Sequence, residues 1–361
     1  MANEHALMAG GGSGGHVFPA LAVAEELRQR GWKVSWMGRM SGMERELVEA
    51  HGLQYHGLPA KAVVGRGWTQ KVGALGTLGT SSWRARQRIR DLQADVVLGT
   101  GGYVSVPGVL GAVLSQRPIV LLEPNADAGA ANRWLSRWAS SAAVALSGVE
   151  SQLRCPSRVT GVPVRREFFD AGDPRSFGGP VRLLVLGGSQ GARQLNELVP
   201  AALKVLGGSL GGLEVVHQTG EVLLAEAQGA YRESELGTVE TRIVPFLDDV
   251  AGEMAAADLV ISRAGAITVA EICAAGRAAL LVPLALAGGH QVANARRLES
   301  SGGAVVLEPE AAAAESLSRL LASLLEDRQQ LRTMGDKLLG LAWPRAAESV
   351  ADLLQQAVEA A

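Results

Sequence analysis

The residue with the most evident chemical capacity is His16. It closes the glycine-rich run "GGGSGGHVFP", Gly10 to Pro19. Imidazole has an unperturbed pKa of about 6.5, so it can take and give a proton near neutrality. In the first turn of a helix the dipole favours neutral imidazole, which suits a general base. A capping or packing histidine fits the same position, and position alone leaves both readings open. The glycines do a second job. Backbone N–H groups without neighbouring Cβ atoms can approach an anion closely, and a helix N-terminus favours negative charge.

A second run of this kind, "LLVLGGSQGARQLNEL", lies further on and has no histidine; its Ser189 falls 176 residues after Ser13. Gly10, Gly12 and Gly15 fit G-x-G-x-x-G, which is a weak signal alone. A dinucleotide site also asks for an acid ending the second strand, to hold the ribose. Here that strand ends "WMGRMSG", with no acid. The second loop does not fit the fingerprint, and the absence of G-x-x-x-x-G-K-[ST] disfavours an ATPase. Glycines needed only for tight strand-to-helix turns are the alternative for each loop.

A third group lies in "SRAGAITVAEICAAG". Glu271 follows Thr268 by three, so both share a helix face. A carboxylate there can accept hydrogen bonds from both hydroxyls of a ribose; a solvated helix-face glutamate is the alternative. "GGHQVANARRLESSG" offers Gln291 and Asn294, neutral amides suited to sugar hydroxyls, or else a plain first helical turn. There is no D-x-D to hold a nucleotide-bound metal, and the adjacent Asp248 and Asp249 suit a helix cap. Leaving-group charge is therefore expected to meet backbone amides, helix ends and an arginine, with no metal or other cofactor.

These residues need a frame. A chain of 361 residues is too long for one simple core and implies two domains. "HALMAGG", "WKVSWMG", "ADVVLGTGG", "PIVLLEP" and "AVALS" read as short buried strands, with a helix from Pro19 to Arg30 after the first. Short apolar runs alternating with helical stretches indicate a parallel sheet with crossover helices. "DAGDPRSFGGP" reads as a linker. The pattern then restarts with "VRLLVLGG", a helix from about Ala192, "LEVVHQTG", "TRIVPFL", "ADLVISRAG", "AALLVPL" and "AVVLEP". The fold class is thus α/β, two doubly wound parallel-sheet domains. Ligands of such sheets sit at the strands' carboxyl ends, so both glycine loops are expected to line one cleft. The final stretch puts Val350, Leu353, Leu354, Ala357 and Val358 on one helix face.

Charge is uneven. Residues 1–162 carry 17 Lys and Arg against 11 Asp and Glu, and six of the seven tryptophans lie there. Between Ala50 and Arg90 there is no acid but there are seven basic residues. A basic, Trp-bearing half points to an anionic surface as partner. Cys155 and Cys273 match no metal or redox spacing and read as two free buried thiols in a reducing compartment. No secretory signal is apparent at the N-terminus. The uncharged run from Val96 to Gln116 is long enough to span a bilayer, but its glycines, Pro107 and hydroxyls suit a strand, a loop and a helix start, so a soluble body is expected.

Taken together, "GGSGGHVFP", "VLGTGGYVS", "EPNADAGAANRWL", "GVPVR", "GGSQGA", "FLDD", "SRAGAITVAE" and "HQVANA" resemble, in order and spacing, the MurG family. These are metal-independent GT-B glycosyltransferases that complete the lipid-linked peptidoglycan precursor. The resemblance runs from about Leu7 to the end and implies two facing Rossmann-like domains: 1–162 on the acceptor and membrane side, 163–341 binding the UDP-sugar, and a helix at 342–361 packing back on the first domain. It implies UDP-N-acetylglucosamine as donor and undecaprenyl-diphospho-N-acetylmuramoyl-pentapeptide as acceptor, with inversion at the anomeric carbon. Ser13, Gly14 and Gly15 match the loop lining the sugar-nucleotide site, and His16 a base. Asn125 matches an asparagine facing the donor sugar, Arg165 an arginine near the diphosphate, and Ser189 a phosphate-binding serine. Leu247 matches the residue whose backbone reads uracil. Ala266, Ile267, Thr268, Val269, Ala270 and Glu271 match the nucleotide-holding helix, with Glu271 on the ribose. Gln291 matches a glutamine on the N-acetylglucosamine hydroxyls, which Asn294 joins. Gly101, Gly102 and Tyr103 match a loop facing the acceptor diphosphate.

Two departures stand out. Many relatives read His-Glu-Gln-Asn where this chain has Leu122-Glu123-Pro124-Asn125, and Pro124 removes an amide from the loop. "LALAGG", before His290, lacks the charges often found there. The resemblance also implies peripheral attachment to the anionic inner leaflet, on the cytoplasmic face of the bacterial membrane, and no nucleic-acid partner. Val72, Leu75 and Leu78, then Trp83 and four arginines, with Trp134 and Trp138 beside Arg133 and Arg137, suit that contact; a packed amphipathic helix is the alternative. The linker near Gly161 to Pro180 is the expected hinge. Other readings are a different two-domain enzyme, such as an antibiotic glycosyltransferase or a UDP-sugar 2-epimerase, and a nucleotide-sugar-binding protein without turnover. The epimerase should need more cleft carboxylates than can be placed.

Overall fold

The computed structural model describes residues 4–40, 44–59, 68–170, 179–188, 191–207, 212–284 and 289–361, without the side chains of 68–75. The chain divides into two compact units, one of residues 1–165 with 343–361 and the other of 166–342.

The first unit runs β1 (His5–Ala9), α1 (Gly14–Gln29), β2 (Lys33–Arg39), α2 (Glu44–Ala50), β3 (Gln54–Leu58), α3 (Trp68–Asp91), β4 (Val96–Gly99), α4 (Gly102–Ser115), β5 (Ile119–Glu123), α5 (Ala130–Leu135), β6 (Ser141–Val144) and β7 (Ser157–Val159). Its parallel sheet has the order β3-β2-β1-β4-β5-β6-β7. The central strands β1, β4 and β5 are fully buried because helices cover both faces. Ala6 and Met8 point toward α1, while Leu7 and Ala9 point toward α3, α4 and α5.

Helix α1 begins at Gly14, five residues before the Pro19 start expected from the sequence. A proline inside a helix deletes one bond, here the one to the Gly15 carbonyl, and its fixed φ is otherwise helical. Helix α3 forms despite its glycines, its buried Ala85 and Ile89 packing on the sheet. The run from Val96 to Gln116 is β4, a turn and α4, and no helix among the described residues is long and apolar enough to cross a membrane.

The second unit runs α6 (Glu167–Asp170), β8 (Val181–Leu186), α7 (Arg193–Leu206), β9 (Leu213–Gln218), α8 (Leu224–Ser234), β10 (Glu240–Val244), α9 (Val250–Ala256), β11 (Leu259–Ser262), α10 (Ala266–Ala275), β12 (Ala278–Leu281), α11 (His290–Ser300), β13 (Ala304–Val306), α12 (Ala314–Leu325) and α13 (Arg328–Leu339). Its sheet, β10-β9-β8-β11-β12-β13, is also parallel and repeats the strand order of the first. Asp249 caps α9 through a 2.8 Å bond from the Gly252 N–H. The last helix, α14 (Ala346–Glu359), returns to the first unit, where Val350 and Leu354 are fully buried against α1 and the sheet. Both cysteines are free; Cys273 is buried, but Cys155 is only half-buried, because it lies in the short connection to an edge strand.

Candidate active site

Strand order changes direction between β1 and β4, whose ends Ala9 and Gly99 are paired, so the loops leaving them run side by side. Gly10 leaves room for the Thr100 side chain, which any Cβ would strike. Ser13 caps α1 through its backbone alone: its carbonyl accepts from the His16 and Val17 N–H groups at 3.1 and 3.3 Å. Gly14, Gly15 and His16 thus form the first turn.

His16 Nδ1 lies 2.8 Å from the Thr100 carbonyl oxygen. That oxygen can only accept, so Nδ1 carries the hydrogen and Nε2 holds the lone pair of the neutral tautomer. The ring rests on the backbone of the second loop. Gly101 and Gly102 have φ of 87° and 68°, and a Cβ on Gly102 would stand 3.1 Å from Nε2. Burial pushes the His16 pKa below its ordinary value, against the opposing pull of the Glu123 charge and the Thr100 bond. The result is a neutral imidazole with a defined tautomer, the form a general base needs. Tyr103 follows, exposed, its hydroxyl accepting from Arg39 Nη1 at 3.3 Å.

Two buried carboxylates that the sequence reading passed over shape these loops. Glu123 ends β5. Its Oε1 accepts from the Asn125 N–H and Nδ2 at 3.1 and 2.8 Å, and its Oε2 from the Gly129 N–H and Asn132 Nδ2 at 2.8 and 3.0 Å. The loop after Pro124 is therefore folded around a carboxylate, which fixes Asn125. Glu44, at the start of α2, accepts from the Gly12 N–H at 3.3 Å and the Arg39 N–H at 2.9 Å. It takes an amide that could have met an anion and puts negative charge behind the loop. An acid ending an apolar strand could have flagged Glu123; nothing near Glu44 in the sequence marks it as buried. Arg165, where the chain leaves the first unit, has its guanidinium 5.3 Å from the centre of the Phe18 ring.

In the second unit the corresponding strands β8 and β11 are paired at Leu186 and Ser262. Gly187 N–H donates to the Gln218 carbonyl at 3.0 Å, and Gly191, at φ 75°, sits too close to the Thr219 carbonyl for any side chain. Ser189 lies outside the described residues, as does 285–288 in the apolar segment before His290. Helix α10 opens at Ala266 after Gly265, with no side-chain cap. Its first N–H groups, on Ala266, Ile267 and Thr268, have no partner within the helix and can meet a ligand. Val269 and Ala270 continue that turn. Glu271 is only 9% exposed, which speaks against a solvated helix-face glutamate. Leu247, past the end of β10, is buried, leaving its backbone as the group it can offer, while Phe246 beside it is half-exposed. Gln291 Oε1 accepts from the Leu284 N–H at 2.9 Å. Asn294 is buried, and its Nδ2 donates to the Ala264 carbonyl at 3.0 Å. Through this bond it braces the turn into α10.

A separate surface lies on the α3, α4 and α5 side of the first sheet. Trp83 is 52% exposed, with the Arg86 guanidinium 4.7 Å from the ring centre; Arg86 Nε also donates to the carbonyl of exposed Leu114 at 3.1 Å. Trp134 and Trp138 meet edge to face at 5.0 Å, with Arg137 over both. The side chains of Val72 and Leu75 lie outside the described residues.

Comparison with known proteins identifies the lineage. Residues 6–144 match the glycosyltransferase family 28 N-terminal domain, and residues 182–356 the glycosyltransferase family 28 C-terminal domain. A Halorhodospira halophila protein, named UDP-N-acetylglucosamine--N-acetylmuramyl-(pentapeptide) pyrophosphoryl-undecaprenol N-acetylglucosamine transferase, is 42% identical over 97% of each chain. A Bordetella parapertussis protein of the same name is 42% identical over 98% of each. The crystal structure of Acinetobacter baumannii MurG superposes with a TM-score of 0.80 at 34% identity, covering 98% of this chain and 99% of that one. The chain belongs to the MurG family.

As a MurG-family member it is a GT-B glycosyltransferase of family 28, and the two parallel sheets are those of that fold. A UDP-N-acetylglucosamine 2-epimerase from Listeria monocytogenes also superposes, with a TM-score of 0.72, but at 12% identity it shares the fold alone. Sequence therefore separates this chain from the epimerases, where the fold does not.

Proposed function

We infer that the chain transfers N-acetylglucosamine from UDP-N-acetylglucosamine to the 4-hydroxyl of undecaprenyl-diphospho-N-acetylmuramoyl-pentapeptide, with inversion. The names of relatives matched over both domains support the substrates. The observation that carries the chemistry is His16, a neutral imidazole with Nδ1 tied to the Thr100 carbonyl and Nε2 left as proton acceptor. The acceptor oxygen attacks the anomeric carbon as the bond from that carbon to the UDP oxygen breaks. The hydroxyl proton passes to His16 Nε2, and UDP leaves with the electron pair. Ser13, Gly14 and Gly15 line the donor site beside it, and Gly101, Gly102 and Tyr103 face the acceptor diphosphate.

The first N–H groups of α10, with Ser189 and Arg165, stabilise the departing diphosphate. Glu271 accepts from the ribose hydroxyls, the Leu247 backbone reads the uracil, and Asn125 and Gln291 meet the donor sugar. Asn294 positions the turn into α10. The tryptophans and arginines of α3 and of the stretch from Arg133 to Trp138 rest on the anionic inner leaflet at the cytoplasmic face, where the lipid acceptor is held. The test is UDP release from UDP-N-acetylglucosamine with and without lipid acceptor. Acceptor-dependent release with a disaccharide-lipid product is expected. Acceptor-independent formation of the 2-epimer, or donor binding without turnover, would refute the assignment.

A further inference from the structure

We propose that Phe18 is a positioning residue whose ring holds the Arg165 guanidinium as part of the first unit, and that Gly14 is a glycine so that this ring can sit where it does. The inference rests on the reading of Arg165 as a diphosphate contact. Phe18 lies one turn after Gly14 on α1, on the same face. A Cβ on Gly14 would stand 3.0 and 3.2 Å from two atoms of the Phe18 ring, tight enough to push it. Phe18 also packs against the core under α1, which seats the ring. Arg165 lies over that ring, 5.3 Å from its centre.

An arginine side chain is long and rotamer-rich, and stacking on an aromatic face both attracts the cation and limits its rotamers. The placement matters because Arg165 is the last residue before the chain enters the second unit. The ring assigns its charge to the unit that carries His16, while α10 belongs to the other. On this arrangement the guanidinium is held in place by the first unit itself. Gly14, which the motif presents as a backbone group for the ligand, thereby acquires a second role through Phe18.

The experiment is a double-mutant cycle on the full chain, with steady-state kinetics in UDP-N-acetylglucosamine at saturating lipid acceptor. Phe18→Leu keeps an apolar core contact but removes the π face; it should raise KM for the donor or lower kcat/KM about three- to ten-fold, the size of a partly desolvated cation–π contact. Phe18→Tyr should restore near wild-type values, and Gly14→Ala should reproduce the Phe18→Leu defect. Arg165→Ala should be the more severe, and adding Phe18→Leu to it should cost nothing further. A merely structural role for Phe18 would instead give additive losses, and that result, or a neutral Phe18→Leu beside an impaired Arg165→Ala, overturns the inference while leaving the role of Arg165 intact. An Arg165→Ala enzyme with unchanged kinetics overturns both.

Discussion

Gly102→Ala tests whether the second loop of the first unit is built around His16. Gly102 has φ of 68°, a conformation that costs an L-residue about 1 kcal/mol or more. A new methyl would also stand 3.1 Å from His16 Nε2, closer than ordinary van der Waals contact. The imidazole cannot retreat freely, because Nδ1 is held 2.8 Å from the Thr100 carbonyl. A shift of a few tenths of an ångström in the base, and partial cover of its lone pair, is the expected outcome. Misplacement by 1 Å can cost about 10²-fold, so a loss of roughly 10- to 100-fold in kcat follows, with KM for the donor changed by no more than about 3-fold. The backbone strain should lower Tm by about 2–6 °C. Gly31→Ala is the matching control: φ is 85°, but nothing lies within 4 Å of the added carbon. It should lower Tm comparably and leave kcat unchanged. The assay is continuous UDP release, with melting followed by far-UV circular dichroism. If Gly102→Ala loses only the stability that Gly31→Ala loses and keeps its kcat, His16 does not act through Nε2 on that side.

Four further outcomes are expected. Because burial lowers the His16 pKa, its neutral form persists below pH 6.5, so the acid limb of kcat/KM should fall below that value. Glu123→Gln removes a charge that raises the pKa and should move that limb to lower pH still; a limb that stays put would separate Glu123 from His16. His16→Ala should cut kcat about 10²- to 10⁴-fold with little change in donor Kd by calorimetry. Neutralising Arg84, Arg86 and Arg88 together should weaken binding to vesicles containing anionic lipid in a salt-dependent way, by about 1 kcal/mol per charge near the surface; binding by co-sedimentation that is unchanged and insensitive to salt would remove this surface from the membrane contact. Leu354→Ala in α14 should cost about 2–5 kcal/mol of first-unit stability, because its side chain is fully buried in that unit's core; a denaturation profile in which only the second unit moves would contradict the packing.

The parts of this structure that sequence discloses are those that repeat a period. Apolar runs gave the central strands of both sheets, because a strand covered on both faces has no polar positions. Edge strands escape that rule. β3, "QYHGL", is mostly exposed or half-exposed, and β7 is three residues long. Helix α1 was read five residues short because a proline inside a helix looks like a start. In the site, glycine runs and His16 were legible as types and spacing. The burial of Asn294 and its bond to the Ala264 carbonyl were not, since a first-turn asparagine reads as surface until the fold buries it. Glu44 was hidden too, since nothing beside it in the sequence marks burial and only the packing of α2 beside β2 reveals its partners; Glu123 ends an apolar strand, which is a signal, but its partners appear only with the turn after β5.

Those two carboxylates explain why similar glycine loops can serve different chemistry at equivalent places in two sheets of the same topology. An isolated glycine-rich turn before a helix favours an anion. In the first unit Glu44 takes the Gly12 amide and sets a buried negative charge behind the loop, and Coulomb repulsion then opposes a phosphate at that amide. Glu123 adds a second charge on the His16 side, which favours the protonated imidazole and so fits the proposed role of His16 as base. A site with two carboxylates behind it is better suited to receiving a proton than to holding a diphosphate. In the second unit the equivalent glycine loop leads into α7, which opens with no acid in its first turn and no side-chain cap, so its first N–H groups keep their affinity for an anion. Exchanging the two environments is a direct way to separate them. Glu44→Gln can keep the Gly12 bond through its one amide oxygen while removing the charge, with its NH2 then facing the Arg39 N–H in place of an acceptor. It should then bring inorganic phosphate or free UDP into competition at the first loop, read as a lower inhibition constant for product with donor KM unchanged. If the inhibition constant does not move, the charge of Glu44 plays no part in keeping anions from that loop, and its role reduces to holding the turn.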